Sequence, residues 1–280
     1  MPTDPFRVPT PGAINFSGGR TSAFMLWKIL EAYDGQLPAD LHVIFCNTGK
    51  ERPETLDFVQ ECSTRWSVSI VWLEFDPEAE HETRIVNHNS ASRNGEPFAA
   101  LIEKRGFLPN PVSRFCTTEL KIRPTKRYMH KICGHSHWVA NNGLRADERH
   151  RVARLSANNR DRWDTEAPLA VAGMTKEDVG TFWASQPFDL RLPNINNSTP
   201  HGNCDMCFLK SRKTIESLMF EDPKAAQWWV EQEETPRTGK PSGAKFRADR
   251  DPYAAILDAV QRQQVFDFGD ESSMDCFCTD

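Results

Sequence analysis

The 280-residue chain has no apolar run long enough to cross a bilayer, which takes about 20 helical residues, and its start, MPTDPFRVPTPG, lacks the apolar core of a secretory signal. A cytoplasmic location without a membrane partner is the expectation. Internal repeats and low-complexity segments are missing, so neither a solenoid nor a disordered chain is expected. The Walker A pattern GxxxxGK[ST] occurs nowhere, which excludes a P-loop of that kind. An excess of positive charge is lacking as well: the net charge is −5, which argues against indiscriminate nucleic-acid binding.

What is present suits a folded protein. Charged residues make up 26% and apolar residues 39%, and the length suffices for one large α/β domain or a domain with an appendage. The mean charge hides an asymmetry. Lys104 to Lys131 holds eight Lys/Arg against one acid, Glu119, whereas Asp267 to Asp280 holds five acids and no base. A basic belt and an acidic tail suit an anionic ligand between them; two ordinary solvated surfaces are the competing reading.

Short apolar runs at GAINF (12–16), LHVIFCNTG (41–49) and VSIVWLEF (68–75) read as buried strands. TSAFMLWKILEAY and RPETLDFVQECSTRW, with Pro53 at a helix start, read as the helices between them. Strand alternating with helix predicts a Rossmann-like open parallel sheet with helices on both faces. Residues 76–111 carry a less regular pattern, in which NHNSASRNGEP (87–97) reads as a loop insertion followed by a short helix near 98–104. A helix is predicted over 118–132 with Pro124 awkwardly inside it, SHWVANNGLR supplies another strand, and Thr175 with Asp178 spells a capping box. Helix resumes near 211–220. The expected division is a nucleotide-binding domain over 1–200 and a helical or irregular C-terminal segment over 201–280.

Between the first strand and helix stands SGGRTS. A strand, a glycine turn and a helix start form the geometry in which backbone N–H groups hold an anion. Ser17, Gly18, Gly19, Arg20, Thr21 and Ser22 are the candidate phosphate-binding residues, the hydroxyls as donors and Arg20 as a charged contact. A plain tight turn capping a helix would look similar.

SGGRTS resembles the SGGxDS pyrophosphate loop of the adenine-nucleotide α-hydrolase superfamily. VIFCNTGKERPETLDFV, FCTTELKIRP, GLRADERHR and PLAVAGMTKEDVGTFW resemble blocks of the phosphoadenosine phosphosulfate (PAPS) reductase family, in order over roughly residues 13–212. The resemblance implies an adenine nucleotide, either ATP or adenylyl sulfate/PAPS, with its phosphates at Ser17–Ser22 and adenine near Asn47, Thr48 and Gly49. Thr21 departs from the pattern. The pyrophosphatases carry Asp there, which helps to orient metal and pyrophosphate. Arg145, with Lys121 and Arg123, is the candidate cation for a phosphate or sulfate; pairing of Arg145 with Asp147 or Glu148 is the competing reading.

Eight cysteines in a chain of this kind point to metal or redox use rather than a disulfide framework. Cys204 and Cys207 have C-x-x-C spacing, shared by zinc, iron–sulfur and dithiol sites. Cys116 lies 88 positions upstream of Cys204, and adenylyl-sulfate reductases with a [4Fe–4S] cluster carry a Cys-Cys pair about that far before their CxxC. The resemblance thus implies a cluster on Cys116, Cys204 and Cys207. Thr117 replaces the fourth ligand, so Cys133, Cys276 and Cys278 become candidates. His201 reads as a ligand or a hydrogen-bond donor to the cluster, His135 and His137 as structural or exposed, and Cys46 and Cys62 as small core residues. Family reductases also use a nucleophilic cysteine on a C-terminal segment, a role open to Cys276 and Cys278, although DCFCTD lacks the family signature.

Two mechanisms follow: thiolate attack on the sulfur of a sulfonucleotide, or ATP cleavage that adenylates a nucleic-acid or protein sulfur acceptor, with Mg²⁺ stabilising pyrophosphate. The alternatives are a degenerate nucleotide- or nucleic-acid-binding accessory, and a zinc-containing ATP pyrophosphatase. Self-association into a homo-oligomer stays open.

Overall fold

The described residues of the computed structural model are 4–156, 163–237 and 244–269, with side chains described to residue 262. Strands β1 (Gly12–Asn15), β2 (Leu41–Asn47) and β3 (Ile70–Phe75) run parallel, joined through helices α1 (Arg20–Ala32) and α2 (Pro53–Arg65). β4 (Thr83–Val86) lies antiparallel on β3, while β5 (Trp138–Asn142) and β6 (Trp163–Glu166) extend the sheet in parallel on the other side of β1. The order is β4-β3-β2-β1-β5-β6, which confirms the expected α/β fold. The chain leaves β1 toward one edge and later returns to build the other. The crevice beyond the C-terminal ends of β1 and β5 is therefore the switch point at which such sheets bind ligands.

Both faces of the central strands are covered, which explains why their sequences are nearly continuous in apolar residues. Val43 and Phe45 of β2 face a core that includes Met25, Leu26, Phe58, Val59 and Trp183. Ile44 and Cys46, one residue out of phase, face the opposite core with Leu73, Met129 and Trp138. Cys62 joins the first core, so Cys46 and Cys62 behave as the small apolar residues expected of them.

Three local features differ from the sequence expectation. β4 lies just before the loop insertion, in a stretch to which the sequence assigned no element; four residues, TRIV, on an edge strand carry too little alternation to stand out. β6, sequence WDTE, is an equally short edge strand. The helix predicted over 118–132 begins earlier, at Phe115, and runs to Ile132 through two wide turns, Thr118–Ile122 and Tyr128–Ile132, flanking Arg123–Arg127. The first wide turn shifts the hydrogen-bond ladder, so Pro124 falls in the opening turn of Arg123–Arg127, where its missing N–H costs little.

The chain divides into two compact units: Met1–Lys104 with Arg114–Asp205, and Arg105–Ser113 with Met206–Asp280. The second contains helices Arg212–Glu221, Pro223–Glu234 and Tyr253–Gly269. Its core stacks Trp229 on Tyr253 with ring centroids 5.5 Å apart, and the Tyr253 hydroxyl donates to the Met206 carbonyl at 2.6 Å. Among the described residues, no helix is long and apolar enough to cross a membrane.

The capping box is formed at helix Lys176–Ser185: Thr175 N donates to Asp178 Oδ2 at 2.7 Å and Asp178 N to Thr175 Oγ1 at 3.5 Å. Thr175→Ala is expected to cost about 1 kcal/mol, read as a lower urea midpoint at constant slope. An unchanged midpoint would mean that the box does not hold the helix.

Candidate functional site

Beyond β1 the chain turns through Ser17, Gly18 and Gly19 into α1. Gly18 has φ +74°, and a Cβ there would stand 2.6 Å from Thr55 Cγ2, so both conformation and space require glycine. Ser22 fastens the turn. Its Oγ accepts from Ser17 N (3.1 Å) and Ser17 Oγ (2.9 Å) and donates to the Gly19 carbonyl (2.9 Å). Two of the three hydroxyls expected to face phosphate are thus engaged with each other inside the turn. No side chain caps α1, and its first turn carries no acid. Uncapped amides at the positive end of a 13-residue helix are able to donate to an anion.

Arg20 does not stand ready for the phosphate contact expected of it. Its Nε and Nη2 donate to the two carboxylate oxygens of Asp189, at 2.6 and 2.7 Å, and Nη2 also reaches the Leu192 carbonyl at 3.1 Å. A carboxylate on the segment after Lys176–Ser185 has taken the bidentate fork. The Trp183 indole donates to the Arg20 carbonyl at 2.9 Å, tying the helix start to the core beneath it. Arg20 therefore locks the loop in place.

Arg145 arrives from the other side of the crevice. β5 leads into Gly143-Leu144-Arg145, and a Cβ on Gly143 would sit 2.9 Å from Ser22 Cα, so this loop touches the first turn of α1 backbone to backbone. Arg145 Nη1 donates to Thr21 Oγ1 at 3.2 Å, while Nε and Nη2 bind Asp147 at 2.9 and 3.0 Å and Glu148 stands 3.4 Å from Nη1. The internal pairing of Arg145 with Asp147 and Glu148 is realised, and within it Nη1 reaches the loop at Thr21. Burial works against its charge, but the Asp147 hydrogen bonds and the charges of Glu148, Asp147 and Glu177 outweigh that and raise its pKa. Gly143 was not singled out in the sequence; its position right after a predicted strand was the available signal.

At the end of β2, Asn47, Thr48 and Gly49 come together as framework. Asn47 Nδ2 donates to Glu74 Oε1 (2.6 Å) and the Ser92 carbonyl (2.8 Å), and its Oδ1 accepts from Gly49 N (3.1 Å). Thr48 N and Oγ1 both donate to Glu51 Oε2, at 2.9 and 2.8 Å. Thr48 and Glu51 are spaced like a capping box, a signal that sequence reasoning passed over. Lys121 Nζ stands 3.8 Å from Glu51 Oε1. Cys204 joins the same edge: its Sγ lies 3.5 Å from Thr48 Oγ1, and the next residue is latched by the Asp205–Lys50 ion pair at 2.9 Å and by Asp205 N donating to the Lys50 carbonyl at 2.7 Å.

Cys116 opens the helical run that carries Lys121, and Cys116, Cys204 and Cys207 are all partly exposed. His201 is buried. Cys133 does not join Cys204: it lies beside His42 at the start of β2, and five extended residues from His42 to Asn47 span about 17 Å. That distance removes it as the missing cluster ligand. Cys276 and Cys278 lie outside the described residues. The basic belt is largely paired within the first unit, Lys104 and Arg127 with Glu82, Arg123 with Glu119 at 2.8 Å, and Lys126 over the Trp163 ring at 5.5 Å. Of the two readings of the belt, an ordinary ion-paired surface is the one realised for these residues.

Gly143→Ala is expected to overpack the loop contact and cost about 1–3 kcal/mol in chemical denaturation. Gly202→Ala, whose added Cβ would meet nothing nearer than 3.5 Å, is the control expected to stay near wild type. Equal stability of the two variants would contradict the close approach.

Residues 12–186, from β1 through helix Lys176–Ser185, match the phosphoadenosine phosphosulfate reductase domain. The chain is 31% identical over 230 residues to the uncharacterized nin region protein ORF290 of Escherichia phage lambda, covering 76% of this chain and 71% of that protein. It is 30% identical over 121 residues to the uncharacterized protein MJ0973 of Methanocaldococcus jannaschii, covering 42% of this chain and 23% of that protein. Among solved structures, phosphoadenylyl-sulfate (PAPS) reductase from Candida auris in its phosphate complex is similar at a TM-score of 0.39 and 16% identity, covering 65% of this chain and 79% of that one. With strand, glycine loop, β5 loop and capping-box helix all inside the matched span, the chain belongs to the phosphoadenosine phosphosulfate reductase family.

Proposed function

We propose that this chain is an enzyme that binds an adenine nucleotide and acts in sulfur transfer or reduction. The observation that carries the reading is the uncapped start of α1 facing Arg145, whose guanidinium is anchored on Asp147 and touches Thr21 at 3.2 Å. Amides of the Gly18–Ser22 turn and the Thr21 hydroxyl donate to the phosphate oxygens, and Arg145 balances their charge. Family membership supports the nucleotide and the chemistry at sulfur.

Thr21 inclines the reading toward a sulfonucleotide. A carboxylate at this position would serve a metal-bound pyrophosphate; a hydroxyl beside an arginine serves a phosphate neutralised by the protein itself. In that reaction a thiolate attacks the sulfonate sulfur of adenylyl sulfate or PAPS. An S–S bond forms, the S–O bond to the nucleotide phosphate breaks, and AMP or its 3′-phosphorylated form leaves from an S-sulfocysteine. Cys276 and Cys278 are the thiols proposed for the attack. Arg145, with Lys121 at the neighbouring strand end, stabilises the departing phosphate. Cys116, Cys204 and Cys207 offer soft thiolate donors, Cys204 directly beside Thr48, and are the proposed ligands of an iron–sulfur cluster. Such a cluster, when bound, supplies an iron that can exchange electrons or accept sulfur.

The test is anaerobic purification with iron, zinc and acid-labile sulfide quantitation, followed by binding and product analysis with adenylyl sulfate, PAPS and ATP–Mg²⁺. Iron with sulfide, and release of sulfite from a sulfonucleotide after reduction, are expected. Arg145→Ala should weaken nucleotide binding roughly tenfold to a hundredfold. Pyrophosphate release from ATP would replace this reaction with acceptor adenylation, binding without turnover would make the chain an accessory, and binding of none of the three would overturn the reading.

A further inference from the structure

The start of β2, at the end of the sheet away from the glycine loop, carries a second group of reactive side chains. The helical run 115–132 finishes there and folds back on itself: Cys133 N donates to the Tyr128 carbonyl at 2.9 Å, and His135 N to the Met129 carbonyl at 3.0 Å. Gly134 between them has φ +77°, the left-handed conformation that ends helices and favours glycine. This turn brings Cys133 and His135 to His42 of β2. One ligand atom from each of the three lies within 4.8 Å of the others, and all three side chains are half-buried. Among the described residues, this is the one grouping of His, Cys, Asp or Glu that meets single-ion spacing.

His42 supplies an independent observation. Its Nε2 is buried with no hydrogen-bond partner, a costly state for an imidazole nitrogen that nothing else occupies. The other nitrogen, Nδ1, faces the Tyr128 hydroxyl at 3.5 Å, and the Tyr128 ring meets the imidazole edge-on with centroids 5.6 Å apart. A histidine with one ring nitrogen beside a hydroxyl and the other buried without a partner, in a group with a thiol and a second imidazole, has the arrangement of a metal-bound histidine.

We infer that His42, Cys133 and His135 bind a zinc ion at the start of β2, in a site separate from the glycine loop. Two imidazoles and one thiolate form a borderline-soft donor set that suits zinc over magnesium or calcium. With ordinary zinc bond lengths, tetrahedral ligands stand roughly 3.3–3.7 Å apart, so a closure of about 1 Å completes three corners. Asp40, two residues before His42 and exposed, exerts its charge on both His42 and Cys133 and offers the fourth corner. The ion ties the last turn of the run 115–132 to β2. The first turn of that run carries Cys116, and the far end of β2 carries Asn47 and Thr48. Zinc at this corner therefore braces two elements of the nucleotide site from behind.

Two measurements test the site on the full chain. In Cys204→Ser/Cys207→Ser protein, which removes competing thiols, cobalt(II) is expected to give a thiolate charge-transfer band that zinc abolishes and that disappears when Cys133→Ser is added. In wild-type protein freed of metal, one equivalent of zinc should slow alkylation of Cys133, followed by peptide mass spectrometry, roughly tenfold, and magnesium should leave it unchanged. The second measurement needs no variant, so it decides the matter even where Cys133→Ser does not fold. A cobalt band that is absent or survives Cys133→Ser, or a Cys133 alkylation rate indifferent to zinc, overturns the site.

Discussion

The contact on which the site depends is the meeting of two backbones, Gly143 of the loop after β5 against Ser22 in the first turn of α1, at the edge where β1 and β5 release the chain. Because the strands are neighbours in parallel, their following loops must leave from the same end of the sheet. Because residue 143 has no side chain, the loop after β5 can approach the first turn of α1 until Arg145 reaches Thr21. The helix start between them is left uncapped, so fixed dipoles and a single guanidinium face outward together. Donors built into the backbone need no rearrangement when an anion arrives, and this gives the turn its chemical use.

Charge is distributed economically around that opening. Arg20, inside the loop itself, is neutralised by Asp189, and the belt from Lys104 to Lys131 is drawn into pairs with Glu82, Glu119 and Glu51. Several of these pairs are partly exposed and contribute little to stability. Their consequence is electrostatic: most cations near the sheet already have a partner. Arg145 also has partners: Asp147 grips Nε and Nη2, while Nη1 lies on Thr21 with Glu148 3.4 Å away. The chain thus sets the direction of a cation by pairing it on one side.

How much was legible in the sequence follows from how local each feature is. The central strands, α1, α2 and the capping box were readable because the signal lies within a few consecutive residues. The glycine turn between β1 and α1 was readable for the same reason. The edge strands β4 and β6 were not, since four residues on a sheet edge need little hydrophobicity. The Arg20–Asp189 pair links residues 169 apart, and nothing in SGGRTS announces that its arginine is already taken. Asn47 and Thr48 were expected near the adenine from the family resemblance, and nothing in their own short stretch told that Glu74, Ser92 and Glu51 take up hydrogen bonds of their side chains. The joining of His42 to Cys133 and His135 was hidden because it depends on β2 being the strand beneath the end of the run 115–132.

The central claim is that the amides of the glycine turn are the anion-binding groups. Backbone amide NMR on uniformly labelled protein, titrated with AMP, tests it directly. The account predicts saturable shifts concentrated at Gly18, Gly19, Arg20 and Thr21, with the Arg145 side chain responding at the same midpoint. Shifts confined to other parts of the chain, with those amides unmoved at saturation, would contradict it.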